Sequence, residues 1–338
     1  MKSALVRAVT VVVSIATITA LSTGIAAAAP VERTASAQAQ NAAQTTVGPL
    51  GSRVNVGAYV DGMDHSPALL DQFDQTIGKA TTVASIFRGY GDVFPSTADA
   101  ALTNGGARSL LVAWYLNVDR FTGFTSGAHD SYLLQEAVAV RAYQGTVYIR
   151  PWAEMNGDWQ DFQPTASGSA QFGGTPAQFI AAWQHVVNTF RTAGATNVRW
   201  VFNPTSDTYA ETTDVRTIWP GASYVDVLGM DGYNWGNGNG LSWTAFTDIF
   251  YEQYTRLTGL DSTAPVWICE FGSKEATLND GAPIDSADSK AQWYTDALAT
   301  TAFPQITTLV AFNADKERNW LVTSSAAVPA AIRTGLNQ

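Results

Sequence analysis

Only one of the 338 residues is cysteine, Cys269, so no intramolecular disulfide can staple this chain. Its stability has to come from the size of a hydrophobic core instead. Histidine is almost as scarce. His65, His129 and His185 lie far apart, and with a single cysteine they compose no metal-ligand cluster, so neither a metal nor an organic cofactor is expected. Positive charge is short as well: 19 Lys and Arg stand against 29 Asp and Glu, a formal net charge of −10. No basic run follows the first residues, which argues against nucleic acid as a partner, because neutralising phosphates takes clustered Lys and Arg. After Leu21 no apolar run approaches the ~20 residues of a membrane helix, so no membrane partner is expected.

What is present begins with "MKSALVRAVTVVVSIATITALSTGIAAAAP": Lys2 and Arg7, an apolar stretch from Ala8 to Leu21, then small residues. That layout predicts a secretory signal peptide over residues 1–28 and a secreted, extracellular protein; a membrane anchor is the alternative, disfavoured by the short run. Residues 29–50, rich in Ala, Gln and Thr and without an aromatic, predict a flexible leader. Residues 51–338 show no internal linker and predict one domain, with a monomer as the expected state. Eleven Trp and twelve Tyr are many; most belong in a core, but those in loops offer flat faces on which sugar rings stack.

Short β-rich runs alternate with longer helical patterns. The runs are VNVGAYV (54–60), TTVASIFRG (81–89), SLLVAWY (109–115), GTVYIRPW (145–152), NVRWVFNP (197–204), YVDVLGMDGY (224–233), APVWICEFG (264–272) and ITTLVAFNA (306–314). The clearest helix between them runs from Thr175 to Gly194: Thr175 caps, Pro176 suits the first turn, Phe179, Ile180, Trp183, Val186, Val187 and Phe190 recur at helical spacing, and Gly194 stops it. Eight strand–helix units in about 260 residues predict an α/β fold, a single-domain (β/α)8 TIM barrel. A doubly wound open sheet is the alternative, but the first strand, in "VGAYVDGMDH", leads into no Gly-rich phosphate loop.

In such a barrel, chemistry sits at the carboxyl ends of the strands. Those ends carry Arg88 and Tyr90; Trp114 and Tyr115; Arg150, Trp152, Glu154 and Asn156; Asn203; Asp231, Tyr233 and Asn234; Glu270; and Asn313 and Asp315. Only Glu154 and Glu270 are glutamates that directly terminate a strand, the fourth and the seventh. Those strands lie nearly opposite in a closed barrel, so the two carboxylates are expected to face each other. A retaining glycosidase needs such a pair at ~5–5.5 Å and an inverting one at ~6.5–9.5 Å. A nucleophile wants donors such as Tyr233 and Arg150 to stay ionised, while an acid wants apolar rings such as Trp152 or Trp159 to keep its proton. The bland alternative pairs each glutamate with Arg88 or Arg150 as a structural ion pair. The period of two in "VWICEFG" puts Cys269 on the face opposite Glu270, toward the helices, as a packed thiol rather than a nucleophile.

The stretches "YIRPWAEMNGDW", "WVFNPTSD", "YVDVLGMDGYNWG" and "PVWICEFGSKE", with the closing "AFNADKERNWLV", resemble in order the motifs of glycoside hydrolase family 26. The resemblance covers about Asn55 to Ser324. It implies Glu154 as acid/base, Glu270 as nucleophile, Tyr233 as the hydrogen-bond partner of the nucleophile and Trp159 as a subsite platform. Arg150 and Asn156 belong to the same signature, and Trp114 stands where the family presents a tryptophan after strand three. With Asn203, Asp231, Trp235 and Arg88 these compose the expected substrate-binding set. One departure is plain: Ala153 occupies the position before the acid/base where the family usually has histidine. The implied activity is retaining endo-hydrolysis of a β-linked polysaccharide, β-1,4-mannan first. Mixed-linkage β-glucan, xylan or another glycan are the alternatives within the same chemistry, and a non-catalytic carbohydrate-binding barrel is the alternative outside it. The loop Gly236 to Trp243 has the glycines to move over a substrate.

Overall fold

The computed structural model of the chain describes residues 47–237, 241–276 and 289–338. The expected signal peptide, nearly all of the expected leader and the centre of the Gly236–Trp243 loop lie outside the described residues. Eight parallel strands close into one barrel: β1 (Asn55–Val60), β2 (Val83–Gly89), β3 (Ser109–Tyr115), β4 (Val147–Pro151), β5 (Val198–Phe202), β6 (Val227–Asn234), β7 (Val266–Ser273) and β8 (Ile306–Asn313). Pairing of β1 with β8, from Asn55 opposite Thr308 to Val60 opposite Asn313, shuts the ring and rules out the open sheet.

The helix expected from Thr175 runs from Pro176 to Thr192, with a reciprocal capping box between Thr175 and Gln178 and proline in its first turn. Its buried stripe, including Phe179, Trp183, Val186 and Phe190, packs against the barrel wall. Each strand thus has two apolar faces, which is why the runs read as nearly continuous hydrophobics. Outward residues such as Ile86, Val112, Ile149 and Ile268 join the helices in the main core. Inward residues form a second cluster made of strand residues alone, including Val83, Leu111, Val201, Val227, Trp267 and Val310. At β1 the inward position is Gly57, where a Cβ would come within 2.8 Å of Val83 and 3.2 Å of Val310; the barrel floor has no room for more.

Cys269 also belongs to this inner cluster, which corrects the expectation that it faces the helices. The cause is a β-bulge. Met230 pairs with Ile268, but the next residue, Asp231, pairs with Glu270. Cys269 is the extra residue, so the alternation of sides slips there and Cys269 and Glu270 both point inward. The thiol is fully buried, and burial first of all raises its pKa well above the ordinary value, so it is inert.

Candidate active site

The barrel mouth opens on a cleft of ≈ 1180 Å³ whose walls include Glu154, Glu270, Trp159, Tyr233, Tyr115 and Trp235. Both strand-terminal glutamates therefore reach the same space from β4 and β7. They arrive differently. Glu270 sits within β7 and is carried inward by the bulge, whereas Glu154 lies beyond β4 on a backbone with φ +58°, preceded by Trp152 at φ +50°. Left-handed backbone is costly for such side chains and persists only when the surroundings fix it. Here hydrogen bonds from Trp152 N to Trp114 O (3.0 Å) and from Glu154 N to Asn203 O (2.7 Å) hold the turn between β3 and β5.

That turn corrects a second expectation. Trp152 swings away from the mouth into the wall, edge-on to Phe121 and Phe124, and desolvates nothing at the carboxylates. The half-buried Glu154 carboxyl instead meets Trp159 and Gln160. Trp159 Nε1 donates to Glu154 Oε2 at 3.1 Å and Gln160 Nε2 donates to the same oxygen at 3.3 Å. The indole packs against Gly157, where a Cβ would approach its ring to 2.7 Å and push it aside. Burial, and next the charge of Glu270, push the Glu154 pKa up to about 7.

Glu270 is held as a carboxylate would be. Arg150 Nη2 donates to its Oε1 at 2.5 Å and the Tyr233 hydroxyl donates to its Oε2 at 2.7 Å. Arg150 also donates to Asp231 Oδ2 at 3.0 Å, and Asn203 Nδ2 donates to that same oxygen at 2.7 Å. Burial opposes the charge of Arg150, but Glu270 and Asp231 outweigh it and raise its pKa, so the guanidinium stays charged. Burial and then Glu270 raise the Tyr233 pKa, so the phenol remains a donor. The arrangement leaves one carboxyl on the cleft able to carry a proton at neutral pH and another held between two donors, environments that differ in the way acid and base roles require.

Of the expected substrate-binding set, Tyr233, Trp159 and Trp235 line the cleft. The others do not. Arg150, Asn203 and Asp231 are fully buried beneath the carboxylates and form the support just described. Asn156 is buried and ties the β4 and β5 loops together, its Oδ1 accepting from Thr205 N at 2.7 Å. Trp114 is fully buried on the outward face of β3, edge-on to Phe94 and Phe190, and Arg88 points outward from β2 to an ion pair with Asp99. Both were one residue out of phase: the inward neighbours Phe87 and Tyr115 are the ones on the cleft wall. Applying the period of two to β3 would have found Tyr115. Gln160, Tyr59, Phe312 and Trp320 also line the cleft; Tyr59 stacks on Phe312 at 5.0 Å and Tyr233 tilts against Trp320 at 4.8 Å. Among the described residues no group of three or more His, Cys, Asp or Glu is placed to hold a metal ion, and no helix is long and apolar enough to cross a membrane.

The sequence model of glycosyl hydrolase family 26 matches residues 133–294, a span that contains both glutamates, Arg150 and Tyr233. The chain belongs to glycosyl hydrolase family 26. Endoglucanase H of Acetivibrio thermocellus is 32% identical over 302 residues, 86% of this chain and 31% of that protein. Mannan endo-1,4-beta-mannosidase A and B of Caldalkalibacillus mannanilyticus is 34% identical over 133 residues, 39% of this chain and 22% of that protein. This family 26 chain thus spans less than a third of either relative. Among solved structures, the catalytic domain of a GH26 endo-beta-1,4-mannanase from Bacillus sp. JAMB-750 superposes with a TM-score of 0.61 at 14% identity, covering 86% of this chain and 87% of that one. That likeness shows the shared barrel fold.

Proposed function

We propose that this family 26 chain is a retaining endo-β-glycanase, with Glu270 as nucleophile and Glu154 as general acid and then base. The observation that carries the reading is the unequal treatment of two carboxyls on one cleft. Glu270 receives a guanidinium and a phenol, while Glu154 has its pKa pushed up to about 7. Glu270 attacks the anomeric carbon as Glu154 protonates the departing glycosidic oxygen; water, deprotonated by Glu154, then releases the sugar from Glu270. An open cleft walled by Trp159, Trp235 and Trp320 suits a chain polysaccharide bound along its length, cut internally.

β-1,4-Mannan is the first substrate, supported by the mannosidase relative. The longer match to a protein named an endoglucanase, together with Ala153 where the family usually has histidine, favours a second reading, mixed-linkage β-glucan. Reducing-sugar release from mannan, glucomannan, lichenan and xylan decides between them. Release from none of these, with tight binding to one, would replace the enzyme by a carbohydrate-binding barrel. Proton NMR of the first product should show the β-anomer, and an initial α-anomer would mean inversion.

We further propose export as a monomer that needs no metal, on the pattern of residues 1–28 and the scarcity of ligating side chains. N-terminal sequencing of protein from the culture medium, gel filtration and assay in a chelator test these points in turn.

A further inference from the structure

We propose that Gln160 is a positioning residue that confines the proton of Glu154 to its Oε1 atom. The inference rests on the glycosidase reading above, in which that proton is the one delivered to the leaving group.

Two donors converge on a single carboxyl oxygen. Trp159 Nε1 and Gln160 Nε2 both point at Oε2, at 3.1 and 3.3 Å, and among the described residues no donor engages Oε1. An indole N–H and an amide N–H cannot accept, so a proton on Oε2 would face two hydrogens; the acid form is left with Oε1. The orientation of the Gln160 amide is fixed by a second acceptor: Nε2 also reaches Ala153 O at 3.5 Å, so nitrogen, not oxygen, is the atom turned toward both. The two donors are unequal in setting. The Trp159 bond is exposed, whereas the Gln160 bond is partly buried, where water competes less for the carboxyl.

The same contact acts on the ionisation. Burial and Glu270 drive the Glu154 pKa upward and the Trp159 donor on Oε2 opposes them; the Gln160 donor on the same oxygen favours the charged form in the same sense. Through both half-reactions one oxygen does the exchange. Oε1 gives its proton to the glycosidic oxygen as that C–O bond breaks and Glu270 bonds to the anomeric carbon; it regains a proton from water as the resulting hydroxide displaces Glu270.

Gln160→Met keeps the length of the side chain and removes the donor; Gln160→Ala removes it with the least risk to folding. In protein carrying 13C-carboxyl glutamate, with the Glu154 signal assigned by its loss in Glu154→Gln, both variants should titrate about one pH unit higher than the parent at Glu154. The alkaline limb of kcat/KM on polysaccharide should move up by the same amount. Its plateau should fall roughly 3–10-fold, with a smaller fall on an activated aryl glycoside that needs no protonation. An unmoved Glu154 midpoint would overturn the proposal, as would equal losses on both substrates at an unchanged pH profile. The titration needs no turnover, so a parent inactive on every glycan would sink the glycosidase reading while the role of Gln160 is still decided.

Discussion

Arg150 Nη2 donates to Glu270 Oε1 at 2.5 Å, and the guanidinium that does so is fully buried and shared with Asp231. One cation thus sits between two carboxyl groups, Glu270 on the cleft and Asp231 buried beneath it. A buried ion pair contributes little relative to an apolar replacement of the whole cluster, but removing one member leaves uncompensated charge. Arg150→Met should therefore cost about 3–5 kcal/mol in urea unfolding and abolish turnover. Arg150→Lys should keep the charge, lose the two-armed geometry, and fall between. A Met variant as stable as the parent would mean that Asp231, whose pKa burial raises well above the ordinary value, is already protonated in the folded protein.

Tyr233 offers a cleaner probe of the proposed nucleophile, because its ring and its hydroxyl do separate things. The ring packs against Trp320 at 4.8 Å and Phe312 at 5.9 Å, while the hydroxyl donates to Glu270 Oε2 at 2.7 Å. Tyr233→Phe keeps the packing and removes one charge-assisted hydrogen bond. The expected result is an unchanged thermal midpoint with kcat lowered about 10–100-fold. Loss of stability with full activity would reverse the assignment.

Glu154, with its pKa pushed up to about 7, would serve as the proposed general acid only while protonated, so kcat/KM on polysaccharide should decline above neutrality. Glu154→Ala should abolish that alkaline limb and cripple substrates with poor leaving groups, while aryl glycosides with good leaving groups keep most of their first-step rate. An alkaline limb that persists in Glu154→Ala belongs to another group.

Much of this was legible in the sequence because barrels repeat: eight β-rich runs, all but the fifth with an α-helix after it, and two glutamates at the ends of the fourth and seventh; after the fifth strand only the short 3-10 turns Val215–Thr217 and Ala222–Tyr224 intervene. The misses share one origin, that the side a residue faces depends on single-residue register. Trp114 and Arg88 face outward while their neighbours Tyr115 and Phe87 face the cleft, and the bulge at Cys269 turns two successive residues inward. Trp152 leaves the mouth because the backbone turns left-handed there, a conformation that no propensity of tryptophan announces. Gln160 sits in a loop, where no period exists to say what it reaches.

Glu136 carries a prediction about stability rather than catalysis. It lies on the inner side of the helix Asp130–Ala142, fully buried, with Oε2 accepting from Phe94 N at 3.2 Å and Oε1 without a partner among the described residues. Burial, opposed by that one backbone donor and aided by the charge of Asp92, pushes its pKa from the ordinary 4.5 up to about 7. Because the folded value lies above the unfolded one, the folded chain holds a proton that the unfolded chain gives up first. The stabilising contribution is complete below pH 4.5 and is lost as pH rises through about 7. Glu136→Gln is neutral throughout and escapes that loss, so it should match the parent at acid pH and exceed it by about 1–3 kcal/mol at pH 8 in urea unfolding. Glu154 titrates with the same sign in the parent and the variant alike, so the difference between the two curves isolates Glu136. A constant offset across the whole range would instead report lost packing or a lost hydrogen bond at Phe94.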